Sequence, residues 1–208
     1  MATARIYVEG KDDEAFLSRL LVERGCEFHP CEGYERLRAK LGTFLKESDR
    51  DRVAVIVDAD LDSANRWRSL RQRFTELQYQ GLPEEISPDG LVFAQPRLPV
   101  LGVWIMPDNV KPGCLEDFVS ALVPTSDALW KEAIRFVENL PERRFPSGDQ
   151  SKAEMYTWLA IQREPGIRPG IALDKGILLK DSSTVSGIRS WLDRWLTHPS
   201  VLDQPARS

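Results

Sequence analysis

The first half of the chain alternates short apolar runs with amphipathic segments. Residues 5–8 form a short run rich in β-branched and aromatic residues, and residues 53–57 form a continuous apolar run that suits a strand buried on both faces. Between such runs, apolar residues recur at helical spacing. The pattern predicts strands at 5–8, 26–29, 53–57, 91–94 and 100–106, and helices at 12–23, 33–46 and 64–79. Strands that alternate with helices indicate an α/β fold with a mainly parallel sheet flanked by helices.

After about residue 107 the pattern becomes helical, with predicted helices at 115–123, 126–139, 152–163 and 184–196. Proline- and glycine-rich breaks separate them, for instance at 165–170. Each predicted helix is short and has an apolar face, so we expect these helices to pack on the sheet rather than to form an independent domain. The apolar positions include Phe118, Leu122, Phe136, Trp158, Trp191 and Trp195. We expect an α/β unit at 1–110, a helical extension at 111–198 and a loose tail at 199–208.

Composition narrows the class of protein. The chain has 208 residues, of which 42% are hydrophobic and 29% charged, which excludes a wholly disordered or fibrous protein. No segment approaches the roughly 18 apolar residues of a membrane span, and the first residues do not form a secretory signal. Three cysteines do not suit a disulfide framework, so we expect a cytoplasmic protein with no membrane association. The net charge of −4 is not typical of a general nucleic-acid binder.

Carboxylates cluster after two of the predicted strands. Residues 8–13 read VEGKDD, and residues 58–62 read DADLD. Because side chains alternate along an extended chain, Asp58, Asp60 and Asp62 are expected to project the same way. Glu9 is expected at the same edge, because the carboxyl ends of parallel strands lie together. Clustered ionised acids need a counter-charge, and their oxygen atoms suit Mg²⁺ or Mn²⁺.

Other interpretations of these acids stay open. A loop after a strand is often a solvated surface, and Asp62 could cap the helix that follows it. A calcium loop does not fit, because its glycine and terminal glutamate positions hold Ser63 and Ser69.

The chain has a glutamate–glycine pair after its first predicted strand and a later apolar strand that ends in Asp-x-Asp. This arrangement resembles the Toprim domain of topoisomerases, bacterial primases and OLD-family nucleases. The resemblance covers about residues 4–110 and implies a Toprim-like fold. In that family the glutamate acts in acid–base chemistry or metal binding, and the aspartates hold Mg²⁺. Those roles would fall to Glu9, Asp58, Asp60 and Asp62, with Asp13 as the motif's trailing acid. The catalytic tyrosine domain of topoisomerases and the zinc-binding domain of primases are not recognisable here.

The chain also resembles stand-alone bacterial Toprim proteins related to OLD-family nucleases, through residues 105–109 (IMPDN), 113–118 (GCLEDF) and 152–159 (KAEMYTWL). OLD-type nucleases place further acids and a lysine beyond Asp-x-Asp. By position, Glu116, Asp117 and Lys152 are candidates for those roles. The two acids could equally be first-turn residues favoured by a helix dipole.

These observations lead to one functional hypothesis and one alternative. The hypothesis is Mg²⁺- or Mn²⁺-dependent hydrolysis of phosphodiesters in DNA or RNA, with Glu9 and Lys152 as catalytic residues and Arg66 and Arg68 as phosphate-binding residues. The arginines could also form a solvated helix face. The alternative is a non-catalytic, Mg²⁺-dependent accessory module that binds nucleic acid or nucleotides. Because no P-loop motif is present, an ATPase partner is expected by analogy with the OLD family, and a homo-oligomer is compatible with the sequence.

Overall fold

A single five-stranded sheet organises the residues that the computed structural model describes, which are 4–46 and 51–199. Its strands are β1 (Arg5–Val8), β2 (Glu27–Pro30), β3 (Arg52–Asp58), β4 (Leu91–Phe93) and β5 (Val100–Met106). They lie in the order β2-β1-β3-β5-β4. All neighbouring strands run parallel except β4, which pairs antiparallel with β5. The predicted α/β fold with a mainly parallel sheet is therefore confirmed. From residue 200 onward, the predicted tail lies outside the described residues.

Eight α-helices surround the sheet within the described part of the chain. They are α1 (Lys11–Leu20), α2 (Tyr34–Phe44), α3 (Ser63–Glu76), α4 (Leu115–Ser120), α5 (Ala128–Glu138), α6 (Gln150–Ala160), α7 (Pro169–Asp174) and α8 (Ser183–Thr197). Among the residues described, none of these helices is both long and apolar enough to cross a membrane.

The sequence pattern does not predict the short helix α7, whose first two residues fall in the predicted break at 165–170. Pro169 occupies its first turn, where the missing N–H of proline leaves no hydrogen bond unmade. Gly170 lets α7 approach α1 closely, because a Cβ atom there would lie 2.9 Å from the carbonyl oxygen of Ala15. This contact brings Arg168, which precedes α7, beside the start of α1.

The alternation of side chains along the strands divides the core into two layers. Ile6 and Ile56 face one layer, which α1 and helices α4–α8 cover. Tyr7 and Val55 face the other, which α2 and α3 cover. Because both faces are covered, the central strands read as continuous apolar runs.

The C-terminal helices share one hydrophobic core with the sheet. Trp191 and Trp195 of α8 are fully buried, and their indole N–H groups donate to the carbonyl oxygens of Leu91 (2.9 Å) and Val100 (3.0 Å). Gly102 of β5 makes room for Trp195, since a Cβ atom at residue 102 would lie 2.9 Å from that ring. One predicted core residue is wrong: Phe136 is 62% exposed, because α5 buries the side that carries Ala133 and Val137.

A hydrogen-bonded loop joins β5 to the helical part. The buried Asn109 accepts the N–H of Ile105 (2.7 Å) on its side-chain oxygen and donates to the carbonyl oxygen of Pro88 (3.1 Å). Farther along, the backbones of Asp60 and Gly113 exchange two hydrogen bonds, of 2.9 and 2.7 Å. The loop therefore places the start of α4 against the carboxyl end of β3.

Candidate active site

A cleft of about 430 Å³ opens where α1 and α4 begin, at the carboxyl ends of β1 and β3. We call it the acidic cleft. Its floor consists of buried or half-buried acids, and its rim of exposed side chains. The floor residues are Asp13, Asp58 and Glu116, and the rim residues are Lys11, Asp12, Lys152, Tyr156 and Arg168.

Glu9 and Asp58 lie side by side because β1 and β3 are neighbours. The Glu9 carboxylate accepts the backbone N–H of Asp58 at 2.9 Å. The Asp58 carboxylate in turn accepts the N–H of Leu115, the first residue of α4, at 3.0 Å. Asp13 accepts the N–H of Gly10 at 2.9 Å and thereby caps α1. The acids are thus fixed by the turns that follow each strand.

These acids disfavour one another's ionisation. Burial, together with the negative charges of Asp13, Glu9 and Glu116, raises the pKa of Asp58 to about 9. Burial raises the pKa of Glu9 to about 7, although the N–H of Asp58 and the guanidinium of Arg66 oppose the shift. The pKa of Asp13 rises to about 6, again chiefly by burial. A cation in the cleft would relieve this repulsion.

Asp60 and Asp62 do not project with Asp58, which corrects the expectation of alternating side chains. Strand β3 ends at Asp58, and Asp60 has a left-handed backbone with φ of 53°, so extended alternation stops before it. The side chain of Asp60 forms an ion pair with Arg66. Asp62 caps α3 by accepting the N–H of Asn65 at 3.1 Å, as the alternative interpretation held.

The two candidate phosphate-binding arginines point to different places. Arg66 pairs with Asp60 and lies over the ring of Tyr34, 3.7 Å from its centre, so its charge lies near Glu9 but outside the rim. Arg68 lines a larger cavity of about 690 Å³ beside α3, which contains no residue of the acidic cleft. The larger cavity therefore lies apart from the clustered acids.

The three candidates from the helical part, Glu116, Asp117 and Lys152, have different surroundings. Asp117 caps α4 by accepting the N–H of Cys114 at 2.8 Å, and it accepts the hydroxyl of Ser151 at 3.1 Å. Glu116 is only 7% exposed and faces the cleft. Burial favours the neutral amine of Lys152, but the charges of Glu116 and other neighbouring groups outweigh it and raise the pKa of Lys152. Lys152 therefore stays cationic at the rim.

Sequence reasoning did not single out Tyr156 or Arg168. Tyr156 follows Lys152 by four residues, and this helical spacing puts both on one face of α6. Burial raises the pKa of Tyr156 to about 12, with Glu116 as the next contribution. No sequence pattern indicates that Arg168 belongs to the cleft, because α7, which it precedes, is not predicted. Arg168 forms an ion pair with Asp12 at 3.0 Å.

The floor acids could hold a hard divalent cation after some rearrangement. In the part of the chain that the structure describes, no three His, Cys, Asp or Glu side chains form a ready metal-binding group. The donors available to a cation are the carboxylates of Asp13, Asp58 and Glu116, with Glu9 beside them. Their oxygen chemistry and mutual repulsion fit Mg²⁺ or Mn²⁺, which bind few carboxylates and keep several waters.

The fold and the cleft define an α/β protein with buried and half-buried acids grouped at the carboxyl edge of its parallel strands. The chain belongs to the family described as "Protein of unknown function (DUF3226)", whose model matches residues 3–197. Neither the curated proteins nor the solved structures yield a match to this chain.

Proposed function

We propose that this protein is a Mg²⁺- or Mn²⁺-dependent phosphodiesterase that hydrolyses DNA or RNA. The observation that carries the proposal is the acidic cleft, in which buried and half-buried acids lie together below a rim that bears Lys11, Lys152 and Arg168. A divalent cation is the counter-charge that such a floor lacks, and cations on the rim suit an anionic substrate. The resemblance to Toprim nucleases supports the same chemistry.

In this proposal each group of residues has a separate task. Asp58, Asp13 and Glu116 hold the metal, and Glu9 either shares it or moves a proton beside it. When bound, a divalent metal polarises the phosphate and lowers the pKa of a coordinated water. Lys152 offsets the negative charge that develops on the phosphate.

The alternative is a Mg²⁺-dependent binding module that does not cleave nucleic acid. It is favoured by the net charge of −4, which is not typical of a protein that acts on nucleic acid in general. Cleavage of nucleic acid that is lost when Glu9 is replaced would support hydrolysis, whereas metal-dependent binding without cleavage would support the binding module.

The cellular setting forms part of the same proposal. We place the protein in the cytoplasm, acting with an ATPase partner in a role such as anti-phage defence. Co-purification of the tagged chain with an ATPase would support this setting, and purification without one would argue against it.

The test is to incubate the purified protein with plasmid, single-stranded DNA and tRNA in millimolar Mg²⁺ or Mn²⁺. The Glu9→Gln variant removes one charge at the site, and Glu138→Gln makes the same change on the exposed surface of α5. We expect metal-dependent cleavage that Glu9→Gln lowers by about 100-fold or more and that Glu138→Gln leaves unchanged. Equal cleavage by the parent and Glu9→Gln would reject this active site. Metal-dependent binding without any cleavage would establish the alternative.

A further inference from the structure

We infer, resting on the proposed function, that the acidic cleft accepts an unpaired nucleic-acid strand or end. In this arrangement the ring of Tyr156 stacks on a base, and Lys11, Lys152 and Arg168 bind the phosphates around it. The inference narrows the substrate from nucleic acid in general to single strands.

The shape of the acidic cleft argues against a duplex. Its volume of about 430 Å³ lies at the small-ligand end of pocket sizes, which suits one or two nucleotides. The floor acids are buried or half-buried, whereas the rim side chains are exposed. A phosphate must therefore pass between the rim side chains to reach Asp58. A duplex is stiff, with a persistence length of about 50 nm, and cannot bend one phosphate inward as a flexible single strand can.

Tyr156 provides the stacking surface. It is 40% exposed and lines the cleft, whereas Tyr7 and Tyr79 are buried. Tyr34 lies beneath Arg66 and donates its hydroxyl to Ser69 at 2.8 Å. Stacking of a base on an aromatic ring strengthens single-strand binding by about 5- to 150-fold per base and tolerates any base.

The cations of the rim come from three separate elements. Lys11 begins α1, Lys152 lies on α6, and Arg168 precedes α7. The ion pair of Arg168 with Asp12 is exposed, with 73% of the arginine side chain and 50% of the aspartate side chain accessible. Exposed ion pairs are weak, so a phosphate can replace Asp12 as the partner of Arg168. Asp12 and Glu116 repel the strand, which makes binding depend on a cation at the floor.

The test compares oligonucleotide binding by the full chain in Mg²⁺. The Glu9→Gln background slows cleavage of the probe, and fluorescence anisotropy measures the affinity. The probes are a labelled single strand of about twelve nucleotides and its duplex. We expect the single strand to bind about tenfold more tightly or better. Tyr156→Ala should weaken single-strand binding by about 5- to 150-fold, whereas Tyr156→Phe, which keeps the ring, should not.

Matched controls separate the cleft from the general surface. Phe136→Ala removes an aromatic ring that is 62% exposed on α5, and it should leave binding unchanged. Lys152→Gln and Arg168→Gln should each reduce the slope of log K against log salt by about 0.7, since each removes one phosphate contact. Lys131→Gln, on the surface of α5, should leave that slope unchanged.

The outcomes distinguish this inference from the proposed function. Duplex binding as tight as single-strand binding, equal affinity for a free mononucleotide, or no effect of Tyr156→Ala would overturn the inference. Glu9-dependent cleavage of duplex without single-strand binding would overturn it while leaving the phosphodiesterase proposal intact. Tyr156-dependent single-strand binding by a protein that cleaves nothing would support the inferred ligand and refute hydrolysis.

Discussion

Replacing Asp58 by asparagine should stabilise the metal-free protein at pH 8 and remove its response to metal. Asp58 is a half-buried acid that accepts the N–H of Leu115 at 3.0 Å. The amide oxygen of asparagine can accept the same hydrogen bond, so Asp58→Asn removes mainly the ionisable group. At pH 8 the folded protein holds Asp58 largely protonated, because burial and the charges of Asp13, Glu9 and Glu116 disfavour its ionisation, whereas the unfolded chain ionises it. Asparagine avoids this cost.

The size of the effect follows from the raised pKa values. One pKa unit corresponds to about 1.36 kcal/mol, and the rise for Glu9 from 4.5 to about 7 alone corresponds to about 3 kcal/mol of unfavourable interaction and burial. Asp58 is shifted further, to about 9. Since part of this cost remains with the other acids after the substitution, we expect Asp58→Asn to raise the free energy of unfolding by about 2 kcal/mol. In a domain of this size, that gain raises the melting temperature by about 4–8 °C.

Thermal melts at pH 8 with and without millimolar Mg²⁺ provide the assay. The control is Asp181→Asn, because the Asp181 side chain is 95% exposed. In chelator, Asp58→Asn should melt above the parent and Asp181→Asn should match it. In Mg²⁺ the parent should gain stability and Asp58→Asn should not. An Asp58→Asn variant that melts below the parent in chelator, or that gains as much from Mg²⁺, would refute the reasoning.

Three further predictions concern stability. Metal-free protein should lose stability as the pH rises from about 5 to 9, because the folded-state pKa values of Glu9 and Asp58, about 7 and about 9, exceed their unfolded values. A melting temperature that stays constant or rises over this pH range would contradict the prediction. Asn109→Ala should cost about 1–3 kcal/mol in urea denaturation, because the buried N–H of Ile105 loses its acceptor, and a cost below about 0.5 kcal/mol would contradict it. A fragment of residues 1–110 should aggregate, since it exposes the sheet face that the C-terminal helices cover; a soluble fragment that melts cooperatively would contradict that view.

The sheet could be predicted from the sequence because its pattern is local. Residues 53–57 form a continuous apolar run, which only a doubly covered strand requires. The predicted break at 165–170 hid α7, because proline and glycine end most helices but here begin one and allow close packing on α1. Phe136 had the same helical spacing as buried residues, and only tertiary packing decides which side of α5 faces the core.

The candidate site could be predicted only in part, for a related reason. Glu9 and Asp58 follow neighbouring strands, so strand order alone brings them together. Asp60 does not project with Asp58, because its own backbone adopts a left-handed conformation that sequence periodicity does not reveal. The contribution of Tyr156 to the rim depends on how α6 packs against α4, a contact between elements distant along the chain.

The measurement that tests the central claim most directly is anomalous X-ray diffraction from crystals grown with Mn²⁺. We expect a peak at the floor of the acidic cleft, within coordination distance of a carboxylate oxygen of Asp58 and bound also by Asp13, Glu116 or Glu9. The peak should disappear in crystals of Asp58→Asn grown under the same conditions. A cleft without an anomalous peak, or a peak between Asp60 and Asp62 instead, would contradict a metal centre at the acidic cleft.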